Sequence, residues 1–144
     1  MITDKFLRVS TDQAVTTTAV STDSIDLSIA RDMGEGQDLY ANFAVTTALS
    51  GGTSVKFEVI GATNAALTSG VVVLGSSDAV LTASLVAGYN TAVRINPVIA
   101  SKGTQYLGVR YTVSGTYTAG NVTADIVTDI QDGKKFYASG FSVT

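Results

Sequence analysis

Asp125 and Asp129 stand on one face of any extended backbone that runs through Val122–Ile130, where apolar residues alternate with polar ones. Paired carboxylates are the machinery of glycoside hydrolysis, one giving a proton and the other attacking or activating water. A sheet-forming chain rich in aspartate produces such pairs by chance, and that is the simpler reading of this one. Asp129-Ile130-Gln131-Asp132-Gly133 offers oxygen ligands and a glycine, yet lacks the full spacing and closing glutamate of a calcium loop, so it reads as a solvated turn. Gly34-Glu35-Gly36 is a fragment of a phosphate-binding loop, with no complete glycine pattern leading from a strand into a helix, and it too reads as a turn. The chain has no His, no Cys and no Trp. It therefore lacks the usual near-neutral base, the thiolate nucleophile and the usual zinc ligands, and disulfides are excluded. The expectation is a protein without enzyme activity, cofactor or metal, one that works by presenting surface.

The elements that would carry such a surface read as strands. Ser24–Ile29 alternates, with Ile25, Leu27 and Ile29 facing one way, and Leu39–Val45 alternates again before Ser50-Gly51-Gly52 ends it. Val55, Phe57 and Val59 then point inward with Lys56 and Glu58 outward, which predicts a hairpin across the glycines. Tyr106–Ile130 predicts a second hairpin: Leu107, Val109, Tyr111 and Val113 alternate before a turn at Ser114–Asn121, and Val122, Ala124 and Ile126 alternate after it. Val71–Leu74, bounded by Gly70 and Gly75, suits a strand covered on both faces or lying at a contact. Ala92–Asn96 stops at Pro97, the single proline. Asp78 would cap a helix through Leu81, Leu85 and Val86 ending at Gly88, although Val80, Thr82 and the neighbouring strands fit an extended path as well. Residues 1–22 are the least regular, an edge strand or an extended arm that includes Thr16-Thr17-Thr18. Many short strands with Gly-rich turns predict an all-β fold with little or no helix: one domain over residues 1–144, an antiparallel jelly-roll-like β-sandwich.

Charged residues are 15% of the chain, below the roughly 25% of an average soluble domain, and Thr and Ser fill the deficit. A surface of short side chains loses little entropy when a partner covers it. A net charge of -3, with scattered basic residues, argues against nucleic acid as a direct ligand. The N-terminus has no apolar run of signal-peptide length, and Val71–Leu74 is far short of a membrane span, so the expectation is a soluble protein made in a cytoplasm with no membrane partner. Asn121-Val122-Thr123 matches a glycosylation sequon that such a protein would not use.

Candidate contact residues lie at both ends of the chain and in one loop. Lys5-Phe6-Leu7-Arg8 sets two apolar residues between two cations, either an edge strand or an arm laid on an acidic neighbour. Arg31 and Asp32 open a loop of opposite charges, solvated or complementary to a partner. Phe136, Tyr137 and Phe141 follow the last strong strand, either folded on the core or anchored in a partner. Apolar area of this kind predicts an oligomer.

With these residues in view, the chain resembles the capsid cement, or decoration, proteins of tailed double-stranded DNA phages, nearest to those of Bordetella short-tailed phages. The resemblance rests on Ile2-Thr3-Asp4-Lys5, Ser10-Thr11-Asp12-Gln13-Ala14-Val15, Ser24-Ile25-Asp26-Leu27 followed by Arg31-Asp32, and Tyr106-Leu107-Gly108-Val109-Arg110-Tyr111 paired with Ala119-Gly120-Asn121-Val122-Thr123-Ala124. It implies a jelly-roll virion protein on the outer capsid surface that bridges neighbouring major capsid protein subunits, as a homodimer, and stabilises the shell against packed DNA. It brings no chemical motif. The rival expectation is a carbohydrate- or receptor-binding sandwich of a phage fibre, which would need a cleft with exposed aromatics, whereas aromatics are 8% of this chain. A pilin or adhesin subunit would need an export signal.

Overall fold

A computed structural model describes residues 3–33, 36–99 and 102–130. Runs of Val, Ile, Thr, Phe and Tyr spaced two apart favour a pleated backbone with one buried face. They form β1 (Arg8–Ala14), β2 (Ala19–Val20), β3 (Ile25–Asp26), β4 (Tyr40–Ser50), β5 (Ser54–Ala62), β6 (Val72–Leu81), β7 (Asn90–Arg94), β8 (Tyr106–Ser114) and β9 (Ala119–Val127). Lys5–Leu7 and Thr82–Ser84 are single 3-10 turns. The fold is all-β.

The strands pair as one antiparallel ribbon doubled back at residues 63–71: β1 lies along β9, β2 and then β3 along β8, β4 along β7, and β5 along β6. Rolling that ribbon sets β9 beside β4 and β8 beside β5. Two sheets result, β1-β9-β4-β7 and β2-β8-β5-β6, with β3 extending the β2 edge. This is the jelly-roll order. Between the sheets Phe43, Phe57 and Tyr111 are fully buried; the two Phe rings lie 5.0 Å apart and Tyr111 stands edge-on to both at 6.1 Å. A second cluster forms outside the β8/β5 sheet, where the 63–71 loop folds back and Leu67 covers Ile60 and Ala62. Gly108 makes that possible, since a Cβ there would come within 2.3 Å of Leu67 Cδ1.

Neither predicted hairpin is one. β4 and β5 lie in different sheets, as do β8 and β9, and the turns between them arch over one end of the sandwich. The second arch is pinned from both sides: Tyr117 N donates to Thr16 O at 2.9 Å and Thr118 N to Ser50 O at 2.8 Å. The Tyr117 ring is buried beneath the first arch, in space that exists only because residue 52 has no side chain. Alternation assigned the inward faces correctly in both pairs, because strands that face each other across a core show the same pattern as strands that share a ladder.

Other expectations change locally. The Ser24–Ile29 strand shrinks to β3, because Asp26 Oδ1 accepts from Ser28 N at 2.7 Å and Ser28 turns to φ +69°, which leaves Ile29 61% exposed. Val71–Leu74 enters an edge strand with Leu74 buried and Val73 outside, not a strand covered on both faces. Gly75 does not end it, since the bare backbone there meets the Arg94 carbonyl and Asn96 N donates to Leu74 O at 2.8 Å. The segment at Asp78 takes the extended path, with one 3-10 turn after Leu81 and Leu85 buried. Within residues 1–22, β1 is an edge strand on β9, its ladder broken by two register shifts with Asp12 at φ +47°.

Candidate functional site

The N-terminal turn is built by a local cap. Asp4 has extended backbone angles and its Oδ1 accepts from Phe6 N at 2.9 Å, while Leu7 N donates to Asp4 O at 3.1 Å. That holds Lys5–Leu7 in one tight turn whose side chains point away from the sheets: Phe6 is 89% exposed, more than any other large apolar residue described, and Leu7 is exposed beside it. Folding gains almost nothing from Phe6 in that position.

Arg8 has another role. Its Nε donates to Asp125 Oδ1 at 2.7 Å, with Asp125 buried on β9 directly across the β1 ladder. Asn42 is the neighbour of Asp125 on β4, also buried, with its Oδ1 lacking a hydrogen-bond partner. Arg8 thus anchors the turn to the sheet and compensates a carboxylate that would otherwise be buried unpaired. Asp129 lies past the end of β9 and is exposed, so Asp125 and Asp129 sit in different surroundings, one held by Arg8 and the other in solvent.

Asp32 pins a loop: its Oδ1 accepts from Ile99 N at 2.9 Å, and Met33 N donates to Pro97 O at 3.0 Å, so the segment after β3 is tied to the segment after β7. Arg31 beside it is exposed. The structure therefore ties Lys5–Arg8 to β9 and Arg31–Asp32 to the 96–99 loop, two separate attachments. Phe136, Tyr137 and Phe141 lie outside the described residues, as do Gln131, Asp132 and Gly133 of the acidic turn and Gly34 and Glu35 of the glycine turn. Asn121 of the sequon lies inside β9, paired with Ala14 and with Thr47.

One polar cluster was not singled out from sequence. Glu58 is buried on the outer face of β5, where its Oε2 accepts from Arg110 Nε and from Thr112 Oγ1, each at 2.7 Å, and Lys56 Nζ lies 3.7 Å from Oε1. Burial works against ionising Glu58, but the bonds from Arg110 and Thr112 and the charges of Arg110 and Lys56 outweigh it and hold the carboxyl below its usual range. The signal was present in part, as Lys56 and Glu58 share a face of one strand and Arg110 and Thr112 a face of another. Pairing them requires knowing that β5 and β8 are neighbours. Asp38 and Arg94 form a more exposed pair at 2.6 Å, the Arg94 bond drawing the Asp38 carboxyl down.

Among the described residues no pocket is enclosed and no three His, Cys, Asp or Glu side chains converge as metal ligands. What the geometry offers is a rigid two-sheet body with an exposed apolar turn fixed to one edge by a buried ion pair. No curated protein matches the chain. The match to the Bbp16 family runs over residues 9–126, from the second residue of β1 almost to the end of β9, and the chain belongs to the Bbp16 family.

Proposed function

We propose that this protein is a structural virion component that binds the outer surface of a phage capsid and bridges neighbouring major capsid protein subunits, stabilising the shell against packed DNA. One observation carries the reading: Phe6 stands fully outside a pre-formed sandwich, held there by the Asp4 cap, flanked by Lys5 and Leu7 and backed by the Arg8–Asp125 pair. An aromatic beside a cation is the composition of an interface anchor, and it costs little to order because its turn is already formed. The resemblance to capsid cement proteins, and a family match that spans both sheets, support the same reading. A protein that binds only the assembled shell stabilises it by mass action, and contacts with two subunits at once multiply weak single contacts.

The test uses undecorated phage shells mixed with the intact chain, with Phe6→Ala and with residues 3–7 deleted, leaving Arg8 in place so that Asp125 keeps its partner. Loss of an anchor costs about 2 kcal/mol, roughly thirtyfold in affinity per contact. Bound copies counted after sedimentation should fall accordingly at limiting concentration. Equal occupancy by all three proteins would remove the N-terminal turn as the anchor, and no binding by the intact chain would remove the function.

A further inference from the structure

The two outer sheet faces differ in what covers them. Outside β8 and β5 the 63–71 loop folds down and sets Leu67 on Ile60 and Ala62. Outside β9 and β4 the described residues form no such cluster, yet part of that face is shut. Ala124 and Phe43 point into the core, so their neighbours Asp125 and Asn42, opposite each other in the β9–β4 ladder, point outward. Asn42 is nevertheless 1% exposed and Asp125 4%. Val127 stands two residues beyond Asp125 on the same side; it is also 4% exposed, and among the described residues it joins neither apolar cluster. Arg8 reaches Asp125 from β1 with a side chain that stays 33% exposed, and Asn42 Oδ1 has no hydrogen-bond partner among the described residues. A buried acceptor without a donor is costly, and native chains supply one.

We infer that residues 131–144 of this same chain cover that face, laying Phe136, Tyr137 and Phe141 over Val127 and Asn42 and bringing a donor to Asn42 Oδ1. β9 lies inside its sheet between β1 and β4 and ends at Val127, so the chain leaves the sheet at the border of the covered row. Fourteen residues follow Ile130. Extended, they span roughly 45 Å, against about 30 Å for a strand the length of β9, so they can return along the whole strand. Their order suits a reversal, because Asp132-Gly133 are turn residues and the three aromatics come after them. Aromatic rings bring the apolar area that Val127 needs, and the backbone between them carries amide donors. A tethered segment meets the face at high effective concentration, which favours it over a separate chain. The inference is independent of shell binding. It takes the three aromatics out of the shell contact and leaves that contact to the N-terminal turn.

The chain has no cysteine, so a single Val127→Cys thiol reports the cover. Three proteins carry it: the full chain, a chain ending at Ile130, and the full chain with Phe136→Ala, Tyr137→Ala and Phe141→Ala, each checked for its sheet spectrum by circular dichroism. An aryl disulfide reagent should label the full chain about tenfold or more slowly than either of the others, because labelling waits for the segment to lift. Equal rates in the full and shortened chains, fast or slow, overturn the inference. Labelling of the full chain that slows as protein concentration rises overturns it too, by assigning the cover to a second copy. Should the shortened chain not fold, the triple variant decides alone, and labelling as slow as in the full chain overturns the inference. A triple variant that labels slowly but no longer decorates shells overturns it by assigning the aromatics to the shell. Loss of shell binding in the Phe6→Ala test leaves it standing.

Discussion

Removing Arg110 should reverse the way stability responds to acid. In the intact protein the Glu58 carboxyl lies below its ordinary value of 4.5, so its contribution is fully present above about pH 4.5 and is lost as pH falls through the lower folded value. Arg110→Ala takes away the 2.7 Å bond and the nearest positive charge, leaving burial opposed only by Thr112 and by Lys56 at 3.7 Å. The folded carboxyl should then rise above 4.5, and the sign changes: the variant loses stability as pH rises through the unfolded value, because a buried carboxylate must ionise. Breaking a fully buried pair costs about 3–5 kcal/mol, but Arg110 is 30% exposed, so about 2 kcal/mol at neutral pH is the expected loss. For a chain of this size that is about 7 °C in melting temperature. At about pH 3 the variant can protonate Glu58 in place, and the loss should fall to half or less. Urea and thermal unfolding followed by circular dichroism across that range give both numbers. The double variant Glu58→Gln/Arg110→Ala should be more stable at neutral pH than Arg110→Ala alone, since no charge is left stranded. A penalty that is the same at both pH values, or below about 0.5 kcal/mol throughout, would refute the account of Glu58 as a buried, compensated carboxylate.

Two tyrosines should answer the same substitution differently. Thr82 gives its single proton to Gly52 O, so Tyr117 donates to Thr82 Oγ1 at 2.6 Å, and Tyr117→Phe should lower unfolding free energy by about 1 kcal/mol. The buried Tyr111 hydroxyl makes no hydrogen bond of good geometry, and burial drives its pKa upward with Ser10 close enough only to oppose that in part, so Tyr111→Phe should be neutral or stabilising by up to about 1 kcal/mol in the same urea titration. Gly75→Ala would put a Cβ 2.2 Å from the Arg94 carbonyl oxygen, a backbone atom that cannot swing aside, and should lower stability by about 2 kcal/mol or more. Phe6→Ala should leave the unfolding free energy unchanged within about 0.5 kcal/mol, since the ring is 89% exposed; a larger loss would place it in a folding contact the structure does not contain.

The inward faces were legible residue by residue, because Val55, Phe57, Val59, Leu107, Val109, Tyr111, Val122, Ala124 and Ile126 alternate cleanly and all are buried. Strand partnership was not. A period of two fixes which side of a strand meets the core, but Val55–Val59 would bury the same atoms whether β4 lay beside it or across from it. The deciding information is in Gly52, which leaves room for the Tyr117 ring, and in the backbone bonds between arches, contacts between segments far apart in the chain. The Glu58–Arg110 pair was hidden for the same reason, its members being 52 residues apart. The Asp26–Ser28 turn was the opposite case, a local Asx bond strong enough to cut short a strand whose apolar spacing continued to Ile29. Of the contact candidates, Lys5–Arg8 read as one unit and fold as two, an exposed turn and an anchored cation, because the residue that separates them in role is Asp125.

A rolled ribbon explains why shell contact would fall at an end of this molecule and not on its faces. The outer face of the β8/β5 sheet is occupied by the 63–71 loop and by the Glu58 cluster, and that of the other sheet holds Asp125 and Asn42, both buried. The ends remain, and rolling makes them unlike: the N-terminus and the charged connections 27–39 and 95–105 fall at one, the four uncharged arches at the other. On the proposed reading the first end meets a shell, its turn fixed by the Arg8–Asp125 pair, while the second is held together by backbone bonds between arches. A bridge between subunits transmits load only if its body is stiff, and the backbone bonds between arches stiffen the end away from the exposed N-terminal turn.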